Sequence, residues 1–170
     1  MKTKSIQSIK GTQDILPSEV HFWQEMERKI FEEMALFGFS EIRTPAFENT
    51  DLFSRSVGEQ TDIVSKEMYT FEDRSGGSLT LKPEATASVV RAFIQHNLDK
   101  INTLTRLFYI DALFRRERPQ KGRYRQFHQF GAELFGSEHP EADIEIISLA
   151  STIFKSIGIE EITLKINTIG

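Results

Sequence analysis

Two stretches of alternating side chains, residues 105–117 and 125–133, flank a loop signal at residues 119–122, and together they constrain the fold more than any other part of the chain. The pattern predicts a long β-hairpin. Successive side chains of a strand point to opposite faces, so Phe108, Ile110, Ala112 and Phe114 share one face of the first arm, with Arg115 and Glu117 on the other. In the second arm Phe127, Gln129, Gly131 and Glu133 fall together, opposite His128, Phe130 and Ala132. One face thus gathers an arginine, carboxylates, an amide, an aromatic ring and a glycine. That mixture suits a polar ligand carrying phosphate and a flat base better than it suits a dry core. The segment 114–133 also holds six basic residues in a chain whose net charge is −4. A basic island of this kind needs an anionic partner or many carboxylate neighbours.

The rest of the composition narrows the class. At 170 residues, with 39% apolar side chains and 14 phenylalanines, the chain can bury a core and is expected to form one domain. It has no cysteine, which excludes a disulfide framework, a thiolate zinc site and a cysteine nucleophile, and its four histidines show no paired ligand spacing. No metal site is expected from protein ligands alone; any metal would be Mg²⁺ held by carboxylate or phosphate. No apolar run approaches the roughly 20 residues of a membrane span, and Met1-Lys2-Thr3-Lys4 is not followed by the apolar stretch of a secretion signal. A soluble cytoplasmic protein without membrane contact is the expectation.

Along the chain, Trp23, Met26, Ile30, Met34 and Phe37 recur at helical spacing within residues 18–37, with Pro17 and Ser18 as start signals and Gly38 as a stop. Residues 39–47 read as one strand in which Pro45 requires an edge or an interface, an edge that could pair across a dimer. Residues 67–71 and 79–82 flank Asp73-Arg74-Ser75-Gly76-Gly77, which is hairpin chemistry. Pro83 is expected to open a helix running to about Leu98, and Pro140 another that stops at Gly158, with a further strand over residues 161–166. Strands and helices without strict alternation predict an α+β fold, a mostly antiparallel sheet flanked by helices. The chain stops at Gly170 beside a strand pattern that needs partners, which suggests a piece of a larger protein.

Three segments carry a family resemblance that covers essentially the whole chain. Lys10-Gly11-Thr12-Gln13-Asp14, Leu16-Pro17, the helix after it and Phe39-Ser40-Glu41-Ile42-Arg43-Thr44-Pro45 are similar to the leading segment and first motif of class II aminoacyl-tRNA synthetases. Leu79-Thr80-Leu81-Lys82-Pro83-Glu84-Ala85-Thr86-Ala87 resembles an amino-acid-binding turn of the histidyl-tRNA synthetases, and residues 114–133 resemble the second class II motif in its histidine-specific form. The sequence resembles the amino-terminal part of the catalytic domain of that family, with the third motif and the anticodon-binding domain absent from these residues.

The resemblance implies that histidine and ATP, with Mg²⁺ bound to the ATP, give histidyl-adenylate and pyrophosphate, after which histidine passes to tRNA(His). It implies a homodimer built through the first motif. By residue, it implies that Arg115 is the catalytic cation bridging carboxylate and α-phosphate, that Glu117 accepts from the adenine amino group, that Arg123 reaches the outer phosphates, and that Phe127 stacks on adenine. Glu84 is implied to bind the α-ammonium of histidine, with Thr86, Gln129, Glu133 and Tyr124 completing the histidine site. Most family members have glycine where this chain has Ala85.

Plainer readings stand beside these. A charged hairpin can be a solvated surface, Glu84 a favourable partner for a helix dipole, and Gly131 a bulge, although a missing side chain between Gln129 and Glu133 also suits close approach of a ligand. His128 is expected to point away from the ligand face, and the phenylalanines other than Phe127 to be core. Two other functions fit less well. A catalytically silent, synthetase-like regulatory subunit of histidine biosynthesis should relax its ATP contacts, whereas Arg115, Glu117, Arg123 and Phe127 are all present. A non-specific RNA-binding module should not be acidic overall.

Overall fold

A computed structural model describes residues 5–58, 61–118 and 120–167. In chain order its elements are α1 (Val20–Leu36), β1 (Ser40–Glu41), β2 (Phe47–Asn49), α2 (Thr50–Val57), β3 (Tyr69–Glu72), β4 (Ser78–Leu81), α3 (Thr86–Gln95), β5 (Thr105–Phe114), β6 (Gln126–Phe135) and α4 (Pro140–Ser156). A short π-helical turn, Ile63–Glu67, and a 3₁₀ turn, Leu98–Lys100, complete the connections.

The hairpin is the spine. β5 and β6 pair antiparallel over ten residues each in an unbroken register from Thr105 opposite Phe135 to Phe114 opposite Gln126. Pro119, the first residue of the predicted loop, lies outside the described residues. One face of the hairpin meets α1 and α4: Phe108 packs with Ile30, Met34, Phe39, Leu149 and Ile153, and Ile110, Phe130, Ala132 and Leu134 close around them. The other face meets α3, where Ala85 and Val89 pack on Leu107, Tyr109 and Leu113.

The helix ends follow their signals. At the end of α1, Gly38 takes φ 75°, its N–H donates to the Ala35 carbonyl at 3.0 Å, and the Phe39 N–H donates to the Met34 carbonyl at 2.9 Å. This left-handed termination is one that glycine adopts without a Cβ penalty. α4 begins at Pro140 and ends at Ser156, with Gly158 at φ 89° just past its cap, as its spacing predicts.

Four expectations are corrected. Residues 39–47 form two short strands in two different sheets: β1 runs parallel to β5, and β2 pairs antiparallel with β4. Pro45, which lacks an N–H, falls in the crossing between them. The strands therefore make two three-stranded sheets, β1-β5-β6 and β2-β4-β3. α3 begins at Thr86, not Pro83, because the Lys82 carbonyl accepts the Phe114 N–H at 3.0 Å and the Pro83 carbonyl is held by Arg115. Residues 161–166 form no strand; they pair with nothing among the described residues, and Ile162, Leu164 and Ile166 are exposed. Phenylalanine is not uniformly core either, since Phe22, Phe31, Phe47 and Phe71 are exposed. Phe47 and Phe71 instead meet edge to face, with ring centroids 6.3 Å apart, on the smaller sheet.

Candidate functional site

The hairpin register builds the site. On the face toward α3, the directly opposed pairs are Leu107 with Glu133, Tyr109 with Gly131, Asp111 with Gln129, and Leu113 with Phe127. Beyond the last ladder pair the Arg115 N–H donates to the Arg125 carbonyl at 2.9 Å, so the geometry of the strand carries into the basic segment. The leading segment is fastened to the same place by the Arg125 N–H, which donates to the Gly11 carbonyl at 2.7 Å.

Arg115 is half-buried. Its Nε donates to the Pro83 carbonyl at 2.9 Å, and its guanidinium carbon lies 5.2 Å from the centroid of the Phe127 ring. It makes no ion pair among the described residues, whereas the neighbouring Arg123 pairs with Glu117 at 3.0 Å. A guanidinium held by one neutral carbonyl and one ring keeps its charge uncompensated, which is the condition for binding an anion. Glu117 is largely covered and Arg123 exposed, and the Arg125 Nε donates to the Glu117 carbonyl at 3.4 Å. Arg115 and Phe127 are thus brought together, and so are Glu117 and Arg123.

The second group lies where α3 begins against the hairpin. Thr86 Oγ1 donates to Glu133 Oε1 at 2.7 Å, and Gln129 Nε2 donates to the Tyr109 hydroxyl at 3.4 Å. Burial pushes the Glu133 carboxyl above its ordinary value; the Thr86 hydrogen bond opposes this and the nearby Glu84 carboxylate adds to it. Burial likewise raises the Tyr109 phenol, with Glu133 and Glu84 contributing in the same direction. Glu84 Oε1 accepts the Ala87 N–H at 3.0 Å, capping α3 in place of Ala85, which has no side-chain acceptor. Glu84 therefore has a structural task as well as a place in the cluster. Ala85 itself is buried against Val89 and Leu107, so its methyl group is packed.

Tyr124 stands apart from Thr86, Gln129 and Glu133. It lines a cavity of about 220 Å³ with Gln13, Ile15, Trp23, Gln126, Phe127 and His128. His128 faces away from the α3 side, its ring edge-on to Trp23 at 4.9 Å.

Gly131 corrects the bulge reading. The register passes through it without a bulge, and the space over it is filled by Tyr109: a Cβ added there would lie 2.3 Å from the tyrosine hydroxyl and 2.4 Å from Cζ. The missing side chain makes room for a neighbouring ring.

Sequence reasoning missed Tyr109, Asp111 and Lys82. Tyr109 and Asp111 sit inside an apolar run, and the signal that could have found them is their parity with Gln129 and Glu133 once the hairpin is aligned. Lys82 is almost completely buried and ion-paired to Asp111. Among the described residues no group of three or more His, Asp or Glu side chains is placed to hold a metal ion, and no helix is long and apolar enough to cross a membrane.

Comparison with known proteins bears on this arrangement. A family model described as "Histidyl-tRNA synthetase" matches residues 11–170. A relative from Syntrophotalea carbinolica named histidine–tRNA ligase is 52% identical over 98% of this chain and 40% of its own length. The structure of an apo S. aureus histidyl-tRNA synthetase superposes with a TM-score of 0.78 at 39% identity, covering 92% of this chain and 36% of that one. A structure from Bacillus halodurans described as an ATP phosphoribosyltransferase regulatory subunit/histidyl-tRNA synthetase gives a TM-score of 0.79 at 28% identity, over 94% of this chain and 40% of that one. The chain spans about 40% of the length of the curated relatives it matches. With the hairpin, the turn before α3 and the leading segment from Gly11 onward inside the matched residues, the chain belongs to the histidyl-tRNA synthetase family.

Proposed function

We propose that this chain is the amino-terminal portion, with the first and second class II motifs, of the catalytic domain of a cytoplasmic, homodimeric histidine–tRNA ligase. That enzyme would join histidine to ATP and then pass the histidyl group to tRNA(His). The observation that carries the reading is Arg115, half-buried, held by a carbonyl and a ring, and without an ion pair among the described residues.

The chemistry explains the need for it. The histidine carboxylate attacks the α-phosphorus of ATP, a new oxygen–phosphorus bond forms, and the bond to pyrophosphate breaks. Two anions must approach, so a fixed cation between them lowers the barrier by positioning and by stabilising charge, without a covalent protein intermediate. Phe127 offers adenine a flat surface, Glu117 an acceptor for its amino group, and Arg123 a cation for the outer phosphates; Mg²⁺ enters with ATP as part of the substrate. Arg123 must then leave Glu117 when nucleotide binds, since the two are paired in the free chain. Glu84 takes the α-ammonium, and Thr86, Gln129 and Glu133 hold the bound histidine, with Tyr124 in the cavity it shares with Phe127. Buried hydrogen-bonding groups reject analogues that leave them unpaired, so this wall selects more sharply than an apolar one. The first motif, residues 39–45, supplies the dimer contact.

A second reading, a histidine-sensing regulatory subunit, is favoured by the double description of the B. halodurans structure. Histidine-dependent ATP–pyrophosphate exchange separates the two. It is run on this chain and on the product read through to its natural stop codon. Exchange by the longer product, falling about 10²- to 10³-fold in Arg115→Ala with the fold intact, is the expected result. Histidine binding without any exchange would transfer the assignment to the regulatory reading.

A further inference from the structure

We propose that Lys82 is a positioning residue: its ion pair with Asp111 is a clamp that fixes the carbonyl on which Arg115 rests. The proposal depends on the function proposed above.

Lys82 is 1% exposed. Its Nζ donates to the Thr44 carbonyl at 3.1 Å and to Thr44 Oγ1 at 3.3 Å, and forms an ion pair with Asp111. Its backbone is also engaged on both sides: the N–H donates to the Ala46 carbonyl and the carbonyl accepts the Phe114 N–H, each at 3.0 Å. One residue thereby joins the crossing segment between β1 and β2, the middle and end of β5, and the turn before α3. The next residue, Pro83, has its φ fixed by its ring, so little conformational freedom separates Lys82 from the Pro83 carbonyl. That carbonyl accepts Arg115 Nε at 2.9 Å.

Stability alone does not account for the pair. The Lys82 ammonium is desolvated while the Asp111 side chain is 23% exposed; ion pairs taken out of water are often matched or bettered by apolar residues of the same shape, while removal of one partner strands the other at high cost. β5 is otherwise rich in Leu and Phe, and an apolar pair at these positions would fit its composition. What an apolar pair lacks is direction: the ammonium is tied to three oxygens on two segments, which sets where the turn sits.

The test is histidine-dependent pyrophosphate exchange on the product read through to its natural stop codon. Wild type is compared with Lys82→Met/Asp111→Leu and with Thr44→Val, each with its melting temperature. The double variant is expected to keep or raise its melting temperature while kcat falls about tenfold or more and the KM for histidine stays within about twofold. Thr44→Val, which leaves the ion pair whole and removes one acceptor, is expected to lose about two- to threefold in kcat. Wild-type kcat in both variants overturns the clamp, and so does a loss of kcat that follows the melting temperature with no split from KM. If the double variant does not fold, Thr44→Val decides. Absence of exchange in the wild type overturns the clamp together with the function it serves, whereas exchange that survives both variants overturns the clamp alone.

Discussion

The two faces of the β5–β6 hairpin are one residue apart along the same strands and behave as different materials. On the face toward α1 and α4, Phe108, Ile110, Phe130, Ala132 and Leu134 meet Ile30, Met34, Leu149 and Ile153 in an apolar layer, with the Arg106–Glu145 ion pair and His128 at its margins. On the face toward α3, Tyr109, Asp111, Gln129 and Glu133 each have a named partner: a hydroxyl meets an amide, a threonine meets a carboxylate, and a lysine meets an aspartate. The first face is held by area and tolerates exchange of one hydrocarbon for another of similar volume. The second adds direction to area: Leu107 and Leu113 pack with Ala85 and Val89, while a polar group beside them that loses its partner is left desolvated. Since the side-chain period is two, a slip of one residue would trade the layers, so the apolar face also sets the register of the polar one.

The largest way to break this division is Phe108→Ala. The residue is 1% exposed at the centre of the apolar layer, and truncation there should cost about 3–5 kcal/mol, read as a lower urea midpoint. A loss under about 1 kcal/mol would mean that the layer collapses around the cavity and is less closely packed than described. Gly131→Ala comes next and acts from the polar side. The added methyl group meets the Tyr109 ring and should cost about 1–3 kcal/mol. Tyr109→Phe should not rescue it, because Cζ at 2.4 Å remains in the way. Gly131→Ala/Tyr109→Ala, by contrast, should be no less stable than Tyr109→Ala alone, the non-additivity expected of residues in contact. Additive losses would show that the ring is not what excludes a side chain.

The smallest effect sharpens the comparison by pH. The folded Glu133 carboxyl titrates above its ordinary value of 4.5. Between those two values the folded state holds more protons than the unfolded one, so stability falls as pH rises through that window and the penalty is complete above it. Glu133→Gln removes the titration and keeps an acceptor for Thr86. Its stability relative to wild type should therefore grow from about pH 4.5 upward and then level off. Urea midpoints that stay parallel from about pH 4 to about pH 8 would contradict it.

The apolar layer was the legible one. Periods of two and of 3.6 locate the hairpin, α1 and α4, and the glycines at 38 and 158 stop their helices where spacing places them. The polar face was legible only in part. Arg115, Phe127, Gln129 and Glu133 are marked by residue type, but Tyr109 and Asp111 stand in the run Leu107-Phe108-Tyr109-Ile110-Asp111-Ala112-Leu113, where neighbours suggest core. Their role depends on what lies opposite, and that is long-range information. Residues 39–47 fail for a similar reason: the pattern is strand-like throughout, yet which sheet each end joins is decided by β5 and β4, far along the chain. Pro83 looks like a helix start because proline fits that position; the contacts of Lys82 and Arg115 hold it outside.

The Glu117–Arg123 pair changes how the basic island should be counted. Six cations in twenty residues suggest a strong field around the hairpin tip, able to draw an anion in from a distance. Arg123 is answered by a carboxylate of the same loop, whereas Arg125 and Arg115 are turned onto neutral carbonyls that orient them and leave their charge in place. The field at the hairpin tip is consequently weaker than the count of cations implies by one compensated pair.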